Sequence, residues 1–271
     1  MSNSYTQRAA QWLMDQHTQE RPFAPLAGEY RPADIGHAYD IQDALVGLRE
    51  TAWHCRRAGY KIALTTPAMR KFVGHDDSIA GQVLSRDVRI SPATVSLGDF
   101  GHLGFECELA FLLGADLPLE AEVPDRARVT SVIAAVAPAF ELVDDRGADY
   151  STFGKDGGAT SLTLAADNAW NAGVVLGEWR HDWNNIDLAA VRGTATINGA
   201  SAGEGYGRDV LGHPLDAMVW IARHLHARGR TLKKGELVIT GSLITSKFPK
   251  AGDQVRFTAE GVGEIALVVM P

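Results

Sequence analysis

The sequence predicts an α+β fold, with a small helical N-terminal region followed by a β-rich body. Three observations carry this. Up to about residue 55, apolar side chains recur at the three- and four-residue spacing of helices. From Tyr60 onward, short apolar runs separated by glycines and turn residues take over, as in strands. Helical stretches interrupt these runs only twice, so helices and strands do not alternate as a doubly wound parallel sheet requires.

Residues 4–17 read as a helix, after which Pro22, Pro25 and Pro32 punctuate an extended stretch. Ala38, Ile41, Leu45, Leu48, Ala52 and Cys55 fall on one face of a second helix. Pro32 near its start and Gly59 beyond its end fit the usual asymmetry of helix termini. Strands are expected at Tyr60–Leu64, Gln82–Leu84, Glu106–Leu113, Val136–Val143, Gly173–Leu176, Thr194–Ile197, Leu237–Thr240, Val255–Ala259 and Glu264–Val269. Asn198-Gly199 suits a hairpin turn, and Gly261-Val262-Gly263 suits another reversal. The two interrupting helices are expected at Asp125–Ala135 and Leu215–Arg228. The latter has Pro214 at its first turn, Leu215, Met218, Ala222 and Leu225 on one face, and Gly229 behind it.

A chain of 271 residues suits one large domain or two small ones. Its 45% hydrophobic and 22% charged residues are those of a soluble globular protein and exclude disordered or fibrous classes. A net charge of -7 offers no basic field to a nucleic acid backbone. No run approaches the roughly 20 apolar residues that span a bilayer, and the first residues lack the apolar core of a signal peptide. Two cysteines, Cys55 and Cys107, make no disulfide framework. A soluble, cytoplasmic, acidic protein without nucleic-acid or membrane partners is expected.

The segment richest in chemistry is Phe105-Glu106-Cys107-Glu108-Leu109-Ala110-Phe111-Leu112-Leu113. As a strand it turns Phe105, Cys107, Leu109, Phe111 and Leu113 to one face, and Glu106, Glu108, Ala110 and Leu112 to the other. The two glutamates then sit roughly 6.5–7 Å apart at Cα. Either this face is half exposed with both carboxylates in water, or it is buried and a positive charge must lie between them. Glu141 lies in a similarly apolar stretch, Ala135–Val143, where a lone glutamate is rarely buried without a partner; the alternative is a strand end turning outward at Asp144. Together the three glutamates make an all-oxygen donor set for a hard divalent cation such as Mg²⁺. Soft-metal sites have no support, since the cysteines are isolated and no histidine pair has zinc-site spacing.

Lys61, in an apolar strand just after a helix, is either a lysine in a dry pocket, able to clamp an anion or move a proton, or a snorkelling edge lysine. Thr240-Gly241-Ser242 follows a strand and offers backbone N–H and hydroxyl groups to an anion, or is a plain turn. The glycine-rich stretches Gly154–Gly158 and Gly203–Gly207 match no phosphate-binding motif and read as loops.

In these residues the chain resembles the fumarylacetoacetate hydrolase superfamily, within it the 2-keto-4-pentenoate hydratase branch and its sibling, 4-oxalocrotonate decarboxylase. The resemblance runs from about Ala38 onward. It is carried by Ala38-Tyr39-Asp40-Ile41-Gln42, Gly59-Tyr60-Lys61-Ile62-Ala63-Leu64-Thr65, Phe105–Phe111, Pro138–Asp144, Ala166-Asp167-Asn168-Ala169, Leu211-Gly212-His213-Pro214-Leu215, Thr240-Gly241-Ser242 and Ala251-Gly252-Asp253. It implies a mixed β-sandwich roll behind a smaller N-terminal α/β region, with an N-terminal region over 1–75 and a catalytic β-roll domain over 76–271.

The resemblance also implies that Glu106, Glu108 and Glu141 hold Mg²⁺ or Mn²⁺, that Lys61 is catalytic, and that Gly241 and Ser242 approach the substrate carboxylate. It implies a lyase of aromatic catabolism that hydrates an unsaturated 2-oxo acid, such as 2-hydroxypenta-2,4-dienoate to 4-hydroxy-2-oxopentanoate. The alternatives are a 2-oxo diacid decarboxylase, an acylpyruvate-type hydrolase and a non-catalytic complex partner. A homo-oligomer, and a complex with a sibling decarboxylase, are further expectations. Two departures stand out. Where hydratases carry an acid in a P-D-[FY]-G-like motif, this chain has Ser78-Ile79-Ala80-Gly81, and the segment between Glu141 and Asp167 is long and rich in glycine.

Overall fold

The computed structural model describes residues 2–271, with side chains from Tyr5 onward. In chain order the elements are α1 (Ser2–Thr18), α2 (Ile35–Trp53), β1 (Arg57–Ala63), α3 (Pro67–Val73), β2 (Ile79–Leu84), β3 (Val88–Ile90), β4 (Ala93–Ser96), β5 (Leu103–Leu113), α4 (Arg126–Ser131), β6 (Ile133–Asp144), α5 (Ala159–Ala166), β7 (Asn171–Leu176), β8 (Arg192–Ile197), β9 (Ala200–Tyr206), α6 (Pro214–Ala227), β10 (Leu237–Ile239), β11 (Ile244–Lys247), β12 (Gln254–Ala259) and β13 (Gly263–Met270). The α+β class and the mixed, curled sheets agree with the sequence expectation.

Two sheets organise the chain. The larger runs β2-β1-β10-β5-β6-β7-β3, with β11 also paired to β5, and the smaller runs β4-β13-β12-β8-β9. Parallel pairs β1/β10, β3/β7 and β4/β13 join segments far apart in sequence, whereas β5/β6, β8/β9 and β12/β13 are antiparallel neighbours. The alternation of β5 sets the layers. Phe105 meets Phe140 of β6 edge-on at 5.5 Å, and Phe140 in turn meets Phe257 of β12 at 6.2 Å, which seals the two sheets together. Glu106 and Glu108 therefore point away from this core, to the face that also carries Glu141 of β6 and Lys61 of β1.

Helix α2 begins at Asp34, whose side chain accepts the His37 N–H, and ends at His54 in the left-handed region. It is bound to its neighbours through buried polar groups as well as apolar ones. Gln42 donates to the carbonyls of Ala80 and Ala165 at 2.9 and 2.7 Å, and the Tyr39 hydroxyl accepts the Ala80 N–H at 3.0 Å. Each buried backbone group thus finds a partner that keeps β2 and α5 in place.

Several expectations are corrected. The helix expected at Asp125–Ala135 is the short α4; from Ile133 the chain is already strand β6, because Ile133–Ala137 pairs with β5. Gly203–Gly207, read as a loop, lies mostly in β9: Gly203 and Gly205 face Ala195 and Gly193 of β8 across the hairpin. A side chain at Gly205 would run into the Leu243 carbonyl, which explains the glycines. Helices α3 and α5 and strands β3, β4 and β11 carry no periodic signal long enough to be read locally. Among the described residues no helix is long and apolar enough to cross a membrane.

Candidate metal centre

Glu106 and Glu141 are register partners across β5 and β6, while Glu108 faces Ala139, whose small side chain leaves room beside the carboxylate. Each of the three glutamates offers one oxygen within 4.8 Å of the others. Glu108 and Glu141 are fully buried and Glu106 is half-buried. Neither the exposed-strand alternative for Glu106 and Glu108 nor the outward strand end for Glu141 describes this geometry.

Glu108 sits where β5 changes partners. Ala110–Leu112 pair with β10 and Phe105–Cys107 with β11, so the segment Thr240–Leu243 arches off the ladder beside Glu108. Its Gly241 N–H donates to Glu108 Oε2 at 2.7 Å. Gly241 has φ +109°, and a Cβ there would meet the Thr65 side chain at 2.5 Å, so only glycine lets the amide reach the carboxylate. Ser242 braces the same arch. Its hydroxyl donates to the Ile244 carbonyl at 2.5 Å and accepts the Cys107 N–H at 3.1 Å. Gly241 and Ser242 both border the cavity described below, with their polar groups turned to this bracing.

Lys61 lies on β1, between β2 and β10, and is almost fully buried rather than an edge lysine. Its Nζ is 3.0 Å from Glu141 Oε1. Gly81, opposite Lys61 on β2, clears the path: a Cβ there would sit 3.0 Å from Lys61 Cγ. The motif departure Ser78-Ile79 has a structural counterpart. Ser78 is buried with its hydroxyl donating to the Leu64 carbonyl at 3.3 Å, and Asp77 beside it accepts from Trp220 Nε1 at 2.9 Å near the surface. Neither borders the cavity.

Asn171 and Ser246 complete the ring of contacts and were not foreseen. Asn171 Nδ2 donates to Glu141 Oε1 at 2.8 Å, and the Ser246 hydroxyl donates to Glu106 Oε1. Asn171 follows three consecutive residues in the left-handed region, Asn168, Ala169 and Trp170, at φ 57°, 49° and 58°. Such a turn costs about 1–3 kcal/mol per residue and persists only where its surroundings over-determine it. Here Asn168 clamps the backbone of Gln82, accepting its N–H at 2.7 Å and donating to its carbonyl at 2.8 Å. A strained turn next to the three carboxylates is the signal that could have found Asn171, but backbone strain is invisible in sequence.

The electrostatics call for a cation. Glu108 Oε1 and Glu141 Oε2 are buried with no hydrogen-bond partner, an arrangement that costs heavily unless something positive meets them. Burial, reinforced by the neighbouring carboxylates, pushes the Glu108 carboxyl well above the ordinary range. Burial also raises Glu141, although Lys61 pulls the other way. Once ionised, three carboxylates against one ammonium leave two negative charges, which a divalent cation cancels. An all-oxygen donor set suits a hard one.

Above this centre opens a cavity of about 310 Å³, floored by Lys61, Glu106 and Gly241. Its rim carries Tyr150, whose hydroxyl donates to Asp145 Oδ2 at 2.5 Å. Asp145 also meets His102 Nδ1 at 2.7 Å and accepts the Gly147 N–H at 2.8 Å. Burial and the Asp145 acceptor push the Tyr150 phenol upward, so it stays protonated.

Comparison with known proteins adds a second line. The fumarylacetoacetate (FAA) hydrolase C-terminal family model matches residues 51–270. The chain is 30% identical over 266 residues to a 2-keto-4-pentenoate hydratase of Paraburkholderia xenovorans (strain LB400), covering 98% of this chain and 95% of the relative. It is 32% identical over 249 residues to a 2-hydroxyhexa-2,4-dienoate hydratase of Comamonas testosteroni, covering 91% and 90%. In fold it is similar to 4-oxalocrotonate decarboxylase from Pseudomonas putida G7, solved with magnesium and adipate. That likeness has a TM-score of 0.88 at 21% identity and covers 100% of this chain and 99% of the other.

Proposed function

Because the chain belongs to the fumarylacetoacetate hydrolase family, we propose that it is a metal-dependent hydratase of 2-hydroxydienoic acids, converting 2-hydroxypenta-2,4-dienoate to 4-hydroxy-2-oxopentanoate. The nearly full-length similarity to two hydratases at 30% and 32% identity supports this. The observation that carries it is the pair of unpartnered buried oxygens, on Glu108 and Glu141, clustered with the Glu106 carboxylate that floors an apolar cavity. Glu106, Glu108 and Glu141 would hold Mg²⁺. When bound, Mg²⁺ would supply Lewis-acid stabilisation of the negative charge that develops on the substrate's 2-oxygen.

The reaction needs the 2-hydroxyl proton removed, protons delivered to carbon, and water added to the conjugated alkene. Lys61 is the basic side chain on the cavity floor, and its ammonium is held in place by Glu141. It receives the substrate carboxylate and exchanges a proton with the reacting carbon chain. Gly241 and Ser242 shape the wall beside that carboxylate, and the Gly241 N–H fixes Glu108. Tyr150, oriented by Asp145 and kept protonated, is a neutral hydroxyl at the cavity rim. The apolar walls exclude bulk water and strengthen the charged contacts.

Incubation with 2-hydroxypenta-2,4-dienoate and Mg²⁺, followed by mass spectrometry, tests the reading. A product heavier by one water is expected. Loss of CO₂ from a 2-oxo diacid would instead make the chain a decarboxylase, and cleavage of an acylpyruvate would make it a hydrolase. Binding of Mg²⁺ with no turnover of any of these would identify a non-catalytic partner.

A further inference from the structure

We propose that the cavity above the carboxylates selects a substrate with an uncharged, apolar tail and discriminates against one ending in a second carboxylate. This rests on the proposed hydration of a 2-hydroxydienoic acid and adds the chemistry of the end remote from the metal. Aromatic and thioether side chains from four segments far apart in sequence converge around the mouth: Met69 and Phe72 of α3, Tyr150 and Phe153 of the loop before α5, Trp170 of the left-handed turn, and Phe248 after β11. Tyr150 and Phe153 lie 5.0 Å apart, Phe72 and Phe153 5.5 Å, and Phe153 and Trp170 6.0 Å, so they form one connected apolar surface.

Four of these side chains are unusually open to solvent, Met69 at 45%, Phe72 and Phe248 at 42% and Tyr150 at 38%. Large apolar groups gathered at one mouth mark a binding surface rather than scattered surface residues. The cavity is continuous from Lys61 and Glu106 to this rim, so the occupant that covers it is the far end of the molecule held on the floor.

Charge argues the same way. The ionisable side chains bordering the cavity, tyrosine apart, are Lys61, Glu106 and Asp209. Lys61 is already paired with Glu141, and Asp209 is itself an anion. Arg70, on the same helix as Phe72, donates to the Leu64 carbonyl at 3.2 Å, and Lys71 and Lys247 lie outside the lining. Among the described residues no unpaired cation borders the cavity, so a second carboxylate would lose water against aromatic rings without a charge to meet it. A cavity of about 310 Å³ has room for on the order of ten water-sized groups, more than the five-carbon dienoate needs.

The test uses saturated, unreactive 2-oxo acids and calorimetry on the Mg²⁺-loaded protein, so it reads binding rather than turnover. 2-Oxo-4-phenylbutanoate is expected to bind about tenfold or more tighter than 2-oxopentanoate, because its ring is buried against the rim. 2-Oxoadipate is expected to bind no tighter than 2-oxopentanoate. In Phe72→Arg the phenyl advantage should shrink and 2-oxoadipate should gain affinity, with Mg²⁺ affinity reporting that the centre is intact. Binding of 2-oxoadipate as tight as the phenyl acid, or equal binding of all three, overturns the inference. So does the absence of any 2-oxo acid binding, which also removes the proposed function. Failure to hydrate 2-hydroxypenta-2,4-dienoate while the binding order holds removes the hydratase reading and leaves the tail selectivity standing.

Discussion

The Lys61 ammonium sits 3.0 Å from Glu141 Oε1, and both side chains are almost completely shielded from water. In the proposed reaction Lys61 thus has two tasks: it offsets part of the charge of three clustered carboxylates, and it presents its amino group on the cavity floor to an incoming acid.

Replacing Lys61 by methionine should separate these tasks. Turnover should fall by about 10²–10⁴, the usual contribution of a positioned proton-transfer group. Mg²⁺ should still bind, because the three carboxylates remain. Steady-state rates at saturating Mg²⁺, with calorimetric Mg²⁺ affinity measured alongside, check this; a wild-type rate removes Lys61 from the mechanism.

Glu108→Gln should weaken Mg²⁺ binding by about tenfold or more, equivalent to about 1.4 kcal/mol. The metal-free fold should be as stable as before or more so, since a neutral amide replaces a carboxyl whose ionised form burial and the neighbouring carboxylates disfavour. Thermal unfolding with and without Mg²⁺ measures both effects. Unchanged Mg²⁺ affinity would exclude Glu108 as a ligand.

In the metal-free protein, burial holds protons on Glu108 and Glu141 to higher pH than in the unfolded chain, and Glu141 titrates at about 7. The folded state therefore binds more protons than the unfolded state from the ordinary carboxylate range up to about 7, and metal-free stability falls as pH rises through that window. A cation that binds the ionised carboxylates reverses the loss. The Mg²⁺-induced rise in Tm should be larger at about pH 8 than at about pH 6. An equal rise at both pH values would show that no proton is displaced on binding.

Asp167 anchors a separate buried network that supports the left-handed turn. It is fully buried, with His17 Nε2 2.5 Å from Oδ1 and Arg146 2.5 Å from Oδ2. Burial opposes its ionisation, but His17, Arg146 and Arg49 around it outweigh this and hold it at about 2. Asp167→Asn should destabilise the fold by about 3–5 kcal/mol, because Arg146 is left as an uncompensated buried charge. Urea unfolding measures this, and a loss below about 1 kcal/mol would show that water replaces the carboxylate.

Much of the architecture was legible along the chain. The nine strands read from apolar runs are all present, as β1, β2, β5, β6, β7, β8, β10, β12 and β13, because a strand buried on both faces, such as β2, reads as a continuous apolar run and a half-buried one, such as β12, as alternation. Strands β3, β4 and β11 are three or four residues long, too short to show a period. The glycines of β9 look like loop residues until β11 and the Leu243 carbonyl are seen pressing against them.

By itself the sequence determined that Glu106 and Glu108 share one face of a strand, that Glu141 and Lys61 lie in apolar strands, and that the oxygen donors suit a hard dication. Only the tertiary structure decided that this face is buried, that Glu141 lies directly across from Glu106, and that the Gly241 amide and Asn171 hold the carboxylates. It alone gathered the aromatic rim from α3, the loop before α5, the left-handed turn and the end of β11. The physical reason is range. Side-chain alternation is a local property of the backbone, whereas desolvation and charge pairing depend on groups up to more than a hundred residues away, such as Gly241 from Glu108, brought within hydrogen-bonding distance only by sheet register.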